Sequence, residues 1–232
     1  IIYSNAESAA CVDLYGWDGQ TLRVQSSLRL SMAVAELSRL SAGTLIGGEG
    51  ALFVTGVTAD NMTVTDVLAL RNGRLQNVAL GPDGNQIPAA SAFLGLYPCD
   101  ANNDGVTEAP DSRALRNLDE EHSALYCAVW RQYSAEGETN DVCSCFHDVP
   151  DGWSLTLPEE WEISSLAAER SAGTEETSVS FYRIDESGTV ERLLTVYRFT
   201  GEAREELASA DGRFTLARQV EATYAAELGK AW

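Results

Sequence analysis

The sequence predicts a mainly β protein: a partial or irregular β-propeller-like region of paired strands, followed by a small α+β sandwich of sheet and helix. Two observations carry this. Short alternating apolar segments recur in pairs around glycine turns, and after His147 the pattern shifts to strands interspersed with helix candidates. The expected boundary falls between 146 and 147, giving a repeat region over 1–146 and an α+β domain over 147–232. At 232 residues the chain is long enough for two modest cores.

In chain order, Val12 to Val24 reads as a hairpin through Asp18-Gly19, and Asp66 to Val78 as another through Asn72-Gly73. Ser31 to Ser41 fits either a short helix, with Met32, Ala35, Leu37 and Leu40 inward, or a strand continuing the alternation of Leu28, Leu30, Met32 and Val34. Thr44 to Val57 reads as a turn at Gly47-Gly48 entering a buried strand, and Pro82 to Ala92 as a loop. Tyr126 to Val142 is expected to turn near Glu136-Gly137, and Val179 to Tyr197 near Glu186 to Gly188. Trp153, Leu155 and Leu157 alternate inward along a strand that stops at Pro158. Glu202 to Ala210 and Val220 to Leu228 read as helices, with a strand at Arg213 to Ala217 between them. Two hairpins before residue 110 do not close a ring, so the propeller-like part is expected to be open, or to continue blades that precede this chain.

The segment Asp100-Ala101-Asn102-Asn103-Asp104-Gly105-Val106-Thr107-Glu108 sets oxygen-bearing side chains at alternate positions and a glycine where a loop must turn sharply. Hard Ca²⁺ takes six to eight oxygens, and such spacing lets Asp100, Asn102, Asp104, the Val106 carbonyl and Glu108 converge on one ion. The same residue types also build Asx turns that need no metal. Pro110 removes a backbone donor from the helix that an EF-hand or dockerin would need after the loop, and Pro98 disfavours a helix before it. A strand is therefore expected to lead in, with Glu108 as the closing carboxylate. The pattern resembles the Asp-x-Asn-x-Asp-Gly-x-x-Asp/Glu loop of FG-GAP and VCBS repeats, the propeller blades of integrin-type and bacterial surface proteins.

The second half carries a further resemblance, in Asp151 to Trp161 (DGWSLTLPEEW), Phe181-Tyr182, Leu193 to Arg204 and Gly212 to Leu216, with Thr65 to Leu68 earlier. These segments resemble a family of uncharacterised exported lipoproteins of gut-dwelling Gram-positive bacteria, in which a degenerate propeller precedes a small domain similar to the PsbP α-β-α sandwich. The resemblance implies an extracellular, cell-surface location, a possible lipid anchor on a precursor, and a binding role. It implies no activity. The absence of an initiator methionine at Ile1 fits a trimmed precursor or its later portion.

Composition narrows the alternatives. A formal net charge of −19 and a single lysine, Lys230, disfavour nucleic acid, anionic membrane and P-loop or Schiff-base chemistry. No apolar run reaches the eighteen residues or so that a spanning helix needs. Five cysteines without a CxxC, beside only two histidines, do not match a zinc site, and the odd count leaves at least one free thiol. No nucleophile elbow, zincin helix or Walker loop occurs. His122, His147 and the Glu159-Glu160 pair sit where solvated side chains are the ordinary outcome, and neighbouring strand residues point to opposite faces. No catalytic residue is assigned. Among the tryptophans, Trp130 and Trp153 read as core, whereas Trp17 and Trp161 stand at turn edges as ligand candidates.

These observations predict a non-enzymatic, calcium-stabilised binding or adhesion protein with an unidentified protein or glycan partner. The alternative is a carbohydrate-associated factor or weak hydrolase of the same surface.

Overall fold

The computed structural model describes residues 1–4, 10–31, 36–58, 61–84, 88–91, 95–118 and 125–230. His122, residues 32–35 of the ambiguous stretch and parts of the Pro82 to Ala92 loop lie outside them. Among the described residues the chain is mainly β, with 59% strand and 5% helix, arranged as four antiparallel sheets, none closed. Two compact units divide it, Ile1–Ser112 with Ala128–His147, and Arg113–Cys127 with Asp148–Trp232.

In the first unit, β1 (Ile2–Ser4), β2 (Ala10–Trp17) and β3 (Leu22–Arg29) form a three-stranded sheet in that order. Asp18 makes the β2–β3 turn by accepting from the N–H groups of Gln20 and Thr21, with Gly19 at φ 97°. A second sheet runs β4 (Glu36–Thr44), β5 (Gly50–Val57), β6 (Thr63–Arg71) and β7 (Arg74–Asn77), while β8 (Ala89–Ser91) pairs with the other end of β6. The Asn-Gly turn between β6 and β7 places Asn72 and Gly73 at φ 50° and 75°, the left-handed pair a two-residue hairpin needs. The part of the ambiguous stretch that is described, Glu36 onward, is strand. β9 (Ala109–Ala114), β10 (Tyr126–Tyr133) and β11 (Thr139–Asp148) then lie side by side, β10 central. The core gathers Leu45, Phe53, Val67, Val78 and Tyr133, all at most 4% exposed. The Tyr133 hydroxyl is pushed up to about 12 by burial.

A polar knot ties this unit together. Asp66 is 3% exposed, accepts from the Ser31 N–H and hydroxyl, and accepts from Asn77 Nδ2 at 2.6 Å. Asn77 in turn accepts from the Val67 and Ala79 N–H groups. Burial raises the Asp66 carboxyl above its ordinary value, outweighing these donors. A raised folded-state value means that its contribution to stability is fully present below the ordinary aspartate range, about 4. That contribution is lost as pH rises through the elevated value. The difference in Tm between the native chain and Asp66→Asn is therefore expected to change in the native chain's favour as pH falls from neutral towards that range. Parallel pH profiles of the two chains would contradict it.

The second unit is built on a five-stranded sheet, and its elements are β12 (Trp153–Thr156), β13 (Leu166–Ala172), β14 (Glu176–Ile184), β15 (Val190–Phe199), α1 (Arg204–Ala208), β16 (Arg213–Arg218) and β17 (Thr223–Leu228). The sheet order is β13-β14-β15-β17-β16. Arg116 joins it by donating its N–H to the Leu166 carbonyl. α1 covers one face, with Leu207 and Ala208 against Tyr197, Phe199 and Ala225. The helix expected over Val220 to Leu228 is instead strand β17. Lying between β15 and β16, it has Thr223 to Ala226 all buried, so both its faces demand small or apolar residues and the period-two signal disappears. The helix expected from Glu202 to Ala210 forms only over Arg204–Ala208, capped by Ala203 and Ser209, with Glu202 and Ala203 in the turn that leads into it.

Asp148 and Asp151 anchor the turn that enters β12. Asp148, with a side chain 1% exposed, accepts from Arg170 Nε at 3.2 Å and from the Asp151 N–H. Asp151 accepts from Arg170, from the Thr177 hydroxyl at 2.6 Å, and faces Arg198 at 3.6 Å.

Candidate metal centre

The loop from Asp100 to Glu108 is a hairpin loop closed by two backbone hydrogen bonds, Cys99 N–H to the Glu108 carbonyl and Glu108 N–H to the Cys99 carbonyl. As the prolines require, no helix flanks it among the described residues, and Pro110 lies in β9. A second clamp holds its outgoing arm: Thr107 N–H donates to the Thr44 carbonyl, and the Thr107 hydroxyl accepts from the Thr44 N–H. Gly43 makes this approach possible, since a Cβ there would stand 2.5 Å from the Thr107 hydroxyl and 2.7 Å from the Phe53 ring. Inside the loop, Asn103 and Gly105 take φ 61° and 87°, the sharp reversal for which asparagine and glycine are suited.

That reversal turns the loop's N–H groups inward. Asp100 accepts from the N–H groups of Asp104 and Gly105 at 3.0 and 2.9 Å, Asp104 from Val106 at 2.8 Å, and Glu108 from Ala101 at 2.7 Å. Carboxylate oxygens of Asp100, Asp104 and Glu108 thereby come within 4.8 Å of one another. Asp100 and Asp104 are exposed, whereas Glu108 is fully buried. Asn102 belongs to the same loop, accepting from the Asp104 N–H and donating to Asp104 Oδ2. The backbone donor at Val106 holds the Asp104 carboxyl below its ordinary value, helped by Asn102 and Gln132.

Gln132, on β10 and 4% exposed, is the residue that sequence reasoning missed. Its Nε2 donates at 2.7 Å to both Asp104 Oδ2 and Glu108 Oε1, so one amide bridges the exposed and the buried carboxylate. A lone glutamine in an apolar strand was the available signal. Three carboxylates this close repel one another, and each has lone pairs beyond those its amide partners use. A hard cation would relieve that repulsion and complete the lone pairs, so these three carboxylates could hold a metal ion.

The nearby thiols are poor nucleophiles. Burial first, then the negative neighbourhood including Glu108, raises Cys99, and the same causes push Cys143 up to about 11. Both stay protonated near neutral pH. None of the five cysteines forms a disulfide. Trp130 is buried and donates its indole N–H to Cys145 at 3.4 Å.

The remaining candidates lie elsewhere. Trp17 is 64% exposed at the end of β2, beside Leu22, and with Tyr15 and Val24 forms two cross-strand pairs of exposed apolar residues. Trp161 belongs to the second unit and packs on the buried Phe181 ring at 5.8 Å. His147 is half-buried, and its neighbour Asp148 is committed to Arg170. Glu159 and Glu160 are exposed side by side. No described helix is long and apolar enough to cross a membrane. No protein-family model, curated protein or solved structure matches the chain, so the site is read from its own geometry.

Proposed function

We propose that this chain is a non-enzymatic binding or adhesion protein of a cell surface, whose first unit is stapled by Ca²⁺ in the Asp100 to Glu108 loop. The convergence of the Asp100, Asp104 and Glu108 carboxylates, held by inward N–H groups and by Gln132, supports it above all. Asp100, Asp104 and Glu108 would hold the ion, with Asn102 and the Val106 carbonyl completing the shell. The ion would supply charge neutralisation and rigidity. The exposed Tyr15, Trp17, Leu22 and Val24 face is a surface of the kind that protein partners cover. The resemblance to exported lipoproteins supports the extracellular location. The meander β4 to β7 supports an open propeller blade, and the α1-covered sheet an α+β domain with PsbP-like character.

Calcium tests the reading. A ligand bound only by the folded state stabilises it by about 2.7 kcal/mol at a hundredfold excess over Kd. Tm is expected to rise with Ca²⁺ by roughly 5 to 11 °C for a chain of this size, and Asp104→Ala should remove most of the rise. Equal Tm in Ca²⁺ and in chelator would make the loop an ordinary Asx turn. On glycan or protein arrays, Trp17→Ala is expected to weaken binding while His147→Ala leaves it unchanged. The reverse pattern would favour the hydrolase alternative.

A further inference from the structure

The second unit holds a concavity of about 220 Å³ between β12 and the sheet face formed by β15, β16 and β17. Trp153 and Leu155 line it from β12, Val196, Leu216 and Tyr224 from the sheet, and Gln219 from the segment after β16. We propose that this cavity is a binding subsite for one ring of a neutral saccharide, with Trp153 as its stacking wall. The proposal names the ligand class for the binding role above and rests on that role, though not on the calcium loop.

Three features select the ligand. Among the described residues that line the cavity none is acidic or basic, although the chain carries a net charge of −19, so an ionic ligand would find no counter-charge there. The volume is below the 300 Å³ or so at which drug-sized sites begin, and suits a single ring better than a lipid chain or a peptide. The lining joins apolar walls to placed polar groups, as the apolar CH face and hydroxyl edge of a pyranose require. Tyr224 is 8% exposed and donates its hydroxyl to the Asp151 carbonyl at 3.2 Å, which fixes its oxygen as an acceptor. Gln219 offers both a carbonyl and an amide, and its backbone N–H donates to the Ala222 carbonyl at 2.8 Å.

The wall is also preorganised. Trp153 follows Gly152, at φ 68°, whose N–H donates to the Asp148 carbonyl, and the turn before it is pinned by Arg170 and Thr177. A ring docking there meets a side chain whose backbone is already fixed, which lowers the ordering cost of binding. Sequence periodicity assigns Trp153 to the core. The structure leaves it only half-buried, at the edge of an open space.

The test is titration of the full chain with methyl glycosides of glucose, galactose, mannose and N-acetylglucosamine, read by tryptophan fluorescence and by saturation-transfer NMR. At least one is expected to bind saturably, with glucuronate and glucosamine weaker. Trp153→Ala should weaken binding by about tenfold or more, and Trp153→Phe should retain most of it. Near-UV circular dichroism and Tm confirm that each variant is folded, and Glu186→Ala, exposed in the turn between β14 and β15, serves as a folded control with unchanged affinity. Absence of saturable binding by every glycoside overturns the proposal, as does binding that survives Trp153→Ala or that prefers glucuronate. Repeating the titration in Ca²⁺ and in chelator separates the two readings. Saccharide binding without calcium stabilisation sinks only the metal site, and calcium stabilisation without saccharide binding sinks only this one.

Discussion

Replacing Arg170 by methionine is expected to lower stability by about 3 kcal/mol, a fall of roughly 6 to 12 °C in Tm. The guanidinium reaches Asp148 at 3.2 Å and Asp151 at 3.0 Å, and the Asp148 side chain is only 1% exposed. Removing the cation leaves a buried negative charge facing the substituted side chain, which costs far more than the loss of an exposed ion pair. Asp151 keeps Thr177 and Arg198, so the penalty concentrates on Asp148. Arg170→Lys should fall between, retaining the charge but losing the fork that spans two carboxylates. A loss below about 1 kcal/mol for the methionine variant would show that the network behaves as a surface pair.

Phe53→Ala is expected to cost about 3 to 5 kcal/mol. The ring is completely buried among Leu45, Val67 and Tyr133, and its edge lies where a Cβ on Gly43 would stand. The void would therefore open beside the Thr44–Thr107 clamp as well as in the core, and on the calcium binding proposed above the affinity for the ion should fall with stability. Phe53→Leu, which refills most of the volume, should recover the greater part of both. A variant that loses stability but binds Ca²⁺ with unchanged affinity would uncouple the core from the loop.

Much of this was legible because turns announce themselves. Gly19 and the Asn72-Gly73 pair take positive φ that few residues adopt, so the β2–β3 and β6–β7 hairpins could be placed from the local sequence. The convergence of Asp100, Asp104 and Glu108 was legible for the same reason, since their spacing is local. The fate of Val220 to Leu228 was not. Its apolar residues satisfy a helical period as well as a buried strand, and only pairing with Leu194–Phe199 on one side and Arg213–Arg218 on the other decides it. Gln132 was hidden likewise, because the carboxylates it bridges lie 24 and 28 residues away. The half-burial of Trp153 depends on how closely β16 and β17 approach it, which no local pattern records.

The division of the chain into interleaved segments shapes how it must fold. The first unit takes back Ala128–His147 after the chain has already supplied Arg113–Cys127 to the second. During synthesis, β10 with Gln132 reaches the acidic loop only after the intervening segment has emerged, so Glu108 waits for its partner. Long closures of this kind slow folding and prolong the exposure of unpaired strand edges. A single proteolytic cut cannot separate the two units, and a permuted chain joining each unit's segments end to end would fold faster.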